Sequence, residues 1–269
     1  MTKYSNLQEI FQENPFTLAL SSGFFGFYAH LGFVKALEHK KLRPQAFSGA
    51  SAGAIVAAAM ASGWTAVEFE KVLLHLKVKD FFDPAPGRGL LRGRLMERSL
   101  AQHLKADFKK LERPLRVSTF KIMKMETVSF AEGDLPRIVR ASCSIPFAFH
   151  PVRVGPHYFW DGGTLDKMAV KDVDPKAPLL SHCILERGPQ RPFISPNLGL
   201  LRRQIALPGV PTCGPHKLHR GKEIIDYVHA HTIKALEKKF EVVKESTKTG
   251  FNPGSQVKKK AQHLASEME

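Results

Sequence analysis

Apolar positions come in short bursts separated by glycine-rich turns. Phe16 to Ser21 (FTLALS) has the length and continuity of a buried strand, and it runs through SSGFFGFYAH into LGFVKALEHKK, where Val34 and Leu37 share a helical face. Gln45 to Gly49 predicts a second short strand. After it comes SAGAIVAAAMASG, apolar all round as a fully buried helix is. Two strand-turn-helix units thus follow one another. Phe16 to Val34 is nearly free of charge and about as long as a bilayer is thick, but glycines, serines and His30 break it into pieces. The alanine-rich run is too short to span, so both read as core.

Further along, Thr65 and Glu68 form a capping-box pattern that opens TAVEFEKVLLHLK, a third helix with Val67, Val72, Leu73 and Leu76 as its apolar candidates. Proline and glycine in FFDPAPGRGLLRGRL interrupt it before LMERSLAQHLKADF resumes a helical pattern. Leu115 to Phe120, Thr127 to Phe130, Tyr158 to Trp160 and Leu179 to Leu185 read as short strands, with LPRIVRASC among them as a helix. Strands alternating with helices predict an α/β sandwich around a largely parallel or mixed sheet. Residues 186–222, rich in proline and glycine, read as an excursion across the surface. Glu223 to Lys244 has the spacing of a long amphipathic helix, using Ile225, Val228, Ile233, Leu236, Phe240 and Val243. The expected organisation is one domain over residues 1–246, its core at 16–185 and its last helix at 223–246, with a basic, disordered tail at 247–269. There is no internal repeat.

Composition adds limits. The chain has 269 residues, 43% of them apolar and 24% charged, an ordinary globular balance. Cys143, Cys183 and Cys213 are odd in number, scattered and without metal-ligand spacing, so they read as reduced thiols and no metal is expected. The first residues lack the continuous apolar stretch of a secretory signal, and a cytoplasmic location is the expectation. A formal charge of +15, about half of whose excess lies beyond Arg187, suits anionic partners such as lipid headgroups, nucleic acid or acidic proteins. No nucleic-acid-binding motif accompanies it, so no specific nucleic acid is expected.

Three stretches carry candidate chemistry. In FSGASAGAI, Ser51 is framed by Gly49 and Gly53 between a strand and a helix. That context lifts a serine hydroxyl out of a sharp turn as a nucleophile, although small residues in a tight corner serve packing equally well. SSGFFG, from Ser21 to Gly26, is either a packed strand-helix corner or a loop whose backbone amides stabilise an oxyanion. YFWDGGTL places Asp161 at a strand end before Gly162 and Gly163, either as an Asx turn or as a base within reach of Ser51. Desolvation raises the pKa of such a carboxylate, and glycine amides bonded to it pull the pKa back down.

LALSSGFFGFYAHLGFVKALE, FSGASAGAIVAA, ASCSIPFAFHPV and YFWDGGTLDKMAV, in this order and at these separations, resemble patatin-like phospholipases over roughly Phe16 to Leu185. The resemblance implies a three-layer α/β/α fold and a Ser–Asp dyad without histidine. By motif position it makes Ser51 the nucleophile and Asp161 the base, with the amides around Ser22, Gly23 and Phe24 as the oxyanion hole. The amide of Ala52, at the start of the following helix, joins them. The family's loop commonly reads GGGxRG, whereas this chain has serines at the first two glycine positions and Phe25 at the basic one. The implied activity is hydrolysis of acyl lipids or phospholipids, without cofactor, with Arg88, Arg92 and Arg94 assisting adsorption to anionic membranes or forming a solvated loop. Two other readings stay open. One is an α/β-hydrolase with a Ser-His-Asp triad, for which His182 and His216 are candidates, although Ser51 follows only the second strand. The other is a non-catalytic scaffold that binds anionic membranes.

Overall fold

The computed structural model describes residues 3–185, 193–194 and 201–242. In chain order its elements are β1 (Lys3–Ser5), α1 (Leu7–Glu13), β2 (Thr17–Leu20), α2 (Phe27–His39), β3 (Ala46–Ala50), α3 (Ala52–Ala61), α4 (Ala66–Leu74) and α5 (Arg94–His103). There follow β4 (Leu115–Lys121), β5 (Glu126–Phe130), α6 (Leu135–Ser142), β6 (Val152–Val154), β7 (His157–Asp161), β8 (Leu179–Cys183), β9 (Phe193–Ile194), β10 (Arg202–Ala206), α7 (Gly221–Glu237) and β11 (Phe240–Val242). The chain forms two compact units. One is drawn from its two ends, where β1 and β11 pair, and the other comprises Ser5–Phe240.

Within the large unit the sheet runs β6-β7-β4-β3-β2-β8-β10-β9, with β5 also paired to β4. Its central strands, β4, β3, β2, β8 and β10, are parallel. Antiparallel strands close both edges. The result is a mixed α/β architecture, a central mixed sheet flanked by helices, in the class expected from the alternating pattern.

The two faces of the sheet differ in side-chain size. In register, Leu18, Phe47, Leu115 and Leu180 align on one face with Leu20 and Val117, and all six belong to the main apolar core. Ala19, Ser48, Ser118 and Ser181, all buried, alternate with them on the other face. The segment after Asp161 lies against this small-residue face, since Ser48 donates to the Ala169 carbonyl at 2.6 Å and Ser118 to the Asp166 carboxylate at 2.5 Å. Chain carrying a candidate functional residue is therefore tied directly to the strands.

Helix α3 is buried nearly all round, as its sequence predicts, and packs against β2 and β3. Its alanines and glycine set the depth of contact: a Cβ on Gly53 would lie 2.1 Å from the Leu20 carbonyl oxygen. Helix α4 has the expected capping box, with the Glu68 amide donating to Thr65 Oγ1 and the Thr65 amide to Glu68 Oε2. Its inward face differs from expectation. Val67 is 53% exposed, whereas Glu70 points inward to ion pairs with Lys35 at 2.5 Å and Lys222 at 3.3 Å. Leu73 is buried in the core and Val72 and Leu76 pack against it as the spacing predicts, so the departure is confined to Val67 and Glu70.

Other differences have local causes. Helix α2 begins at Phe27, inside the stretch read as a turn, because Gly26 already adopts helical backbone angles. Helix α7 ends at Glu237, since Lys238 is extended, so Phe240 lies in β11 and Val243 lies outside the described residues. Within the proline- and glycine-rich stretch read as a surface excursion, Arg202–Ala206 forms β10, parallel to β8. Two arginines and a glutamine in its five residues hide the strand pattern. Helix α1, capped reciprocally by Asn6 and Glu9, and β6 went unpredicted because each is too short to establish a period. The basic tail lies outside the described residues.

Replacing Gly53 with alanine forces β2 and α3 apart. Gly53→Ala is expected to lose about 2–3 kcal/mol of stability, read as a lower urea midpoint at unchanged m-value.

Candidate active site

Ser51 is the single residue between the end of β3 and the start of α3, and it makes the whole reversal with φ 51° and ψ −122°. Non-glycine residues avoid this conformation at a cost of order 1–3 kcal/mol. The surroundings hold it there. The Ser51 amide donates to Ser142 Oγ at 2.8 Å, and the Ser142 hydroxyl donates in turn to the Ser118 carbonyl at 2.7 Å. On its other side the Ser51 carbonyl accepts from Cys143 Sγ at 3.2 Å and from the Ala54 amide at 2.9 Å.

Asp161 reaches the same place through strand register. Strand β3 runs beside β4 until Ala50 aligns with Ser118, and β7 takes up the pairing at the next residue, Thr119 opposite Asp161. The end of β3 and the end of β7 therefore meet on one strand. The Asp161 amide donates to the Ser144 carbonyl at 2.8 Å, and the Gly163 amide donates to Asp161 Oδ1 at 2.7 Å. Only glycine fits after it, because a Cβ on Gly162 would lie 2.0 Å from the Ser118 carbonyl oxygen.

Asp161 is 6% exposed, and the Ser51 side chain is near enough to act on its carboxyl group. Burial pushes the Asp161 pKa up to about 6, against the opposing pull of Ser51 and of the Gly163 amide. Burial, and secondarily the Asp161 charge, also drives the neighbouring Cys143 thiol well above its ordinary value, keeping it protonated. The pair sets a hydroxyl beside a potential proton acceptor.

The SSGFFG turn leaves β2 beside this pair. Its donor set is narrower than the motif implies: the Ser22 amide donates to the Lys167 carbonyl at 2.8 Å and is thereby occupied. Among the described residues the amides of Gly23, Phe24 and Ala52 have no protein acceptor. The Gly26 amide closes the turn on the Gly23 carbonyl at 3.0 Å. Phe25, at the position where the resemblance expects a basic residue, has φ 52° and packs against Phe24, Phe27 and Phe81 at ring-centroid distances of 4.8, 5.6 and 5.8 Å.

Neither histidine considered for a triad lies between Ser51 and Asp161. His216 is exposed in the turn before α7. His182 is buried in β8, stacked on Phe33 with centroids 4.3 Å apart. Its Nδ1 lies 2.9 Å from Nδ1 of His30, whose Nε2 is 2.8 Å from the Ser21 carbonyl. The carbonyl can only accept, so His30 carries its proton on Nε2 and receives the His182 Nδ1–H. Burial lowers both pKa values, that of His30 to about 4, so the pair is neutral and fixes the end of β2.

Ser142, Cys143 and Ser144 carry no assigned role in the sequence reading. Yet they hold the Ser51 backbone and the Asp161 amide together. The signal was ASCSIP, a stretch whose hydroxyls and thiol follow a helix and whose partners are distant in sequence. Among the described residues no group of three or more His, Cys, Asp or Glu side chains is placed to hold a metal ion.

Ser51 at a strand-to-helix elbow beyond the carboxyl end of β3, with buried Asp161 brought alongside by antiparallel β7, makes a candidate serine–acid site on an α/β fold. The model of the patatin-like phospholipase family matches residues 18–174, and the chain belongs to that family. Over 198 residues it is 27% identical to YqhO of Bacillus subtilis, covering 60% of this chain and 68% of that protein. Over 165 residues it is 28% identical to the NTE family protein Rv1063c of Mycobacterium tuberculosis, covering 58% of this chain and 44% of the relative. The match thus spans less than half of the mycobacterial protein. Of solved structures, VipD from Legionella pneumophila shares the fold with a TM-score of 0.52 at 14% identity, over 85% of this chain and 68% of that one.

Ionised Asp161 is a cost to the folded state. Below the unfolded pKa of 3.8 both states are protonated and no cost exists; it grows as pH rises and is complete above about 6. Asp161→Asn, which keeps an acceptor for the Gly163 amide, is therefore expected to be more stable than wild type by about 1–3 kcal/mol at pH 8. The difference should shrink toward zero at pH 4, as read by urea denaturation at the two pH values.

Proposed function

We propose that the chain is a lipid acyl hydrolase, of phospholipase A or lysophospholipase type, cleaving carboxylic esters through an acyl-Ser51 intermediate with Asp161 as base. The observation that carries this reading is the strand register that brings Ser51 alongside buried Asp161, a carboxylate whose pKa is raised to about 6. A base of that pKa is ionised at neutral pH yet holds a proton far better than an ordinary aspartate.

In this mechanism Ser51 Oγ adds to the ester carbonyl carbon while its proton passes to Asp161. The carbonyl oxygen takes up negative charge toward the amides of Gly23, Phe24 and Ala52, the last at the positive end of α3. As the ester C–O bond breaks, the leaving alcohol takes the proton from Asp161, and the acyl group stays on Ser51. Water then adds to the acyl-serine, again giving its proton to Asp161. Collapse releases the carboxylic acid and returns the proton to Ser51 Oγ. No cofactor is needed in any step.

Substrates of this kind reside in membranes or micelles. Phe24, Leu90, Phe147 and Leu165 are 57–77% exposed apolar side chains on loops near the Ser51 end of the sheet, and exposed Arg88, Arg92 and Arg94 accompany them. Apolar wedges beside cations suit an anionic lipid surface. No helix of the described residues is long and apolar enough to cross a membrane, so peripheral contact is the mode proposed.

A fluorophosphonate probe is expected to label wild type on Ser51. Ser51→Ala should lose labelling, and both Ser51→Ala and Asp161→Asn should lower kcat/KM for a chromogenic acyl ester at least ~10³-fold. In wild type kcat/KM should rise with pH through about 6 and then level off, because protonated Asp161 cannot accept the serine proton. Turnover that survives either substitution, or a folded chain that never reacts with the probe, refutes the mechanism and favours a membrane-binding scaffold.

A further inference from the structure

The two serines that stand at the family's first two glycine positions are used differently. The Ser21 hydroxyl is consumed by the fold: it donates to the Ser22 carbonyl at 3.0 Å and accepts from the Ile184 amide at 2.9 Å. Ser22 is half-buried, its amide is taken by the Lys167 carbonyl, and its hydroxyl has no hydrogen-bond partner among the described residues. Yet that hydroxyl is held in a fixed place. A Cβ on Gly163 would lie 2.3 Å from Ser22 Oγ and 2.4 Å from Ser22 Cβ, so the side chain rests directly on the Gly163 backbone. The same point is 3.0 Å from Asp161 Oδ1. Ser22 Oγ and Asp161 Oδ1 are therefore no more than about 5 Å apart with no bond joining them, a gap that one water spans with two hydrogen bonds of ordinary length.

We infer that Ser22 is a specificity-determining residue: its hydroxyl, with Asp161, holds the water that hydrolyses acyl-Ser51 and thereby favours water over alcohols as the acyl acceptor. The inference rests on the hydrolase reading above and adds which nucleophile ends the reaction. Asp161 Oδ1 accepts one bond from the Gly163 amide, and a carboxylate oxygen has room for another. Water has two O–H groups. One gives its proton to Asp161 as the oxygen forms its bond to the acyl carbon, and the other donates to Ser22 Oγ. The bond between Ser51 Oγ and the acyl carbon then breaks, the carboxylic acid departs, and the proton on Asp161 returns to Ser51. An alcohol has only one O–H. With that proton passing to Asp161, its alkyl group points where the second hydrogen of water was, against Ser22 and the Gly163 backbone, and Ser22 Oγ is left without a donor. Glycine at position 22 would supply neither the acceptor nor the obstruction.

The test uses the full chain, p-nitrophenyl butyrate and added methanol, with the background from Ser51→Ala subtracted. The ratio of methyl butyrate to butyrate counts only acyl-enzymes that reach the second step, so any loss of folded protein cancels. Relative to wild type, Ser22→Ala should raise this ratio ~5-fold or more, and Ser22→Gly, which also removes the obstruction, at least as much. Both variants should still release p-nitrophenol.

Ratios within about twofold of wild type in both variants overturn the inference. So does failure of both variants to release p-nitrophenol, since Ser22 would then act before the acyl-serine exists. A wild-type chain that releases no p-nitrophenol above the Ser51→Ala background refutes the hydrolase reading and this inference with it. Cleavage with unmoved ratios leaves the hydrolase reading standing, so the two failures are distinguishable.

Discussion

The site depends on how β4 changes neighbours. For four residues β4 is paired to β3, and at the fifth it is paired to β7, so the last residue before Ser51 and the residue that bears the carboxylate sit at consecutive positions on one strand. Backbone ladders fix distance far more rigidly than side-chain packing, because each rung constrains both chains at once. The bonds from Ser142 and Ser144 across to Ser51 and Asp161 then brace the junction from the end of α6. Three distant stretches of chain are registered against one another with little freedom left.

That rigidity explains how an unfavourable electrostatic arrangement persists. A carboxylate nearly without solvent and a serine in a disfavoured backbone conformation both oppose folding. They are offset by the core on the large-residue face of the sheet and by close packing of α3, in which most residues are fully buried. The His30–His182 pair serves the same end on the other flank: two neutral rings complete one another's hydrogen bonds and anchor the carbonyl of Ser21 at the root of the amide-bearing turn. A charge on either ring would break that arrangement, and burial keeps both uncharged.

Much of this was legible from the sequence wherever the signal is local. The strand, glycine turn and helix around Ser51 are written in consecutive residues, and so is the Thr65–Glu68 cap. What eluded the pattern is relational. Glu70 faces inward because Lys35 and Lys222 await it, a fact absent from the spacing of α4. Arg202–Ala206 joins the sheet through its backbone, to which its polar side chains offer no clue. The loss of Ser22 as an amide donor follows from Lys167, more than a hundred residues away, folding back onto the turn. Ser142 and Cys143 were visible as residues but not as partners, since short polar side chains acquire meaning only from what they face.

The helices around Ser51 differ in how tightly they are bound to the strands. Helix α3 has no room to change, being pressed onto β2 and β3 with a glycine at the point of closest approach. Helices α4 and α5 pack mainly on other helices and line an apolar cavity with side chains of varied size. A side chain enlarged on the inner side of α3 therefore meets unyielding backbone, whereas one enlarged on α4 or α5 meets neighbouring side chains that can turn aside.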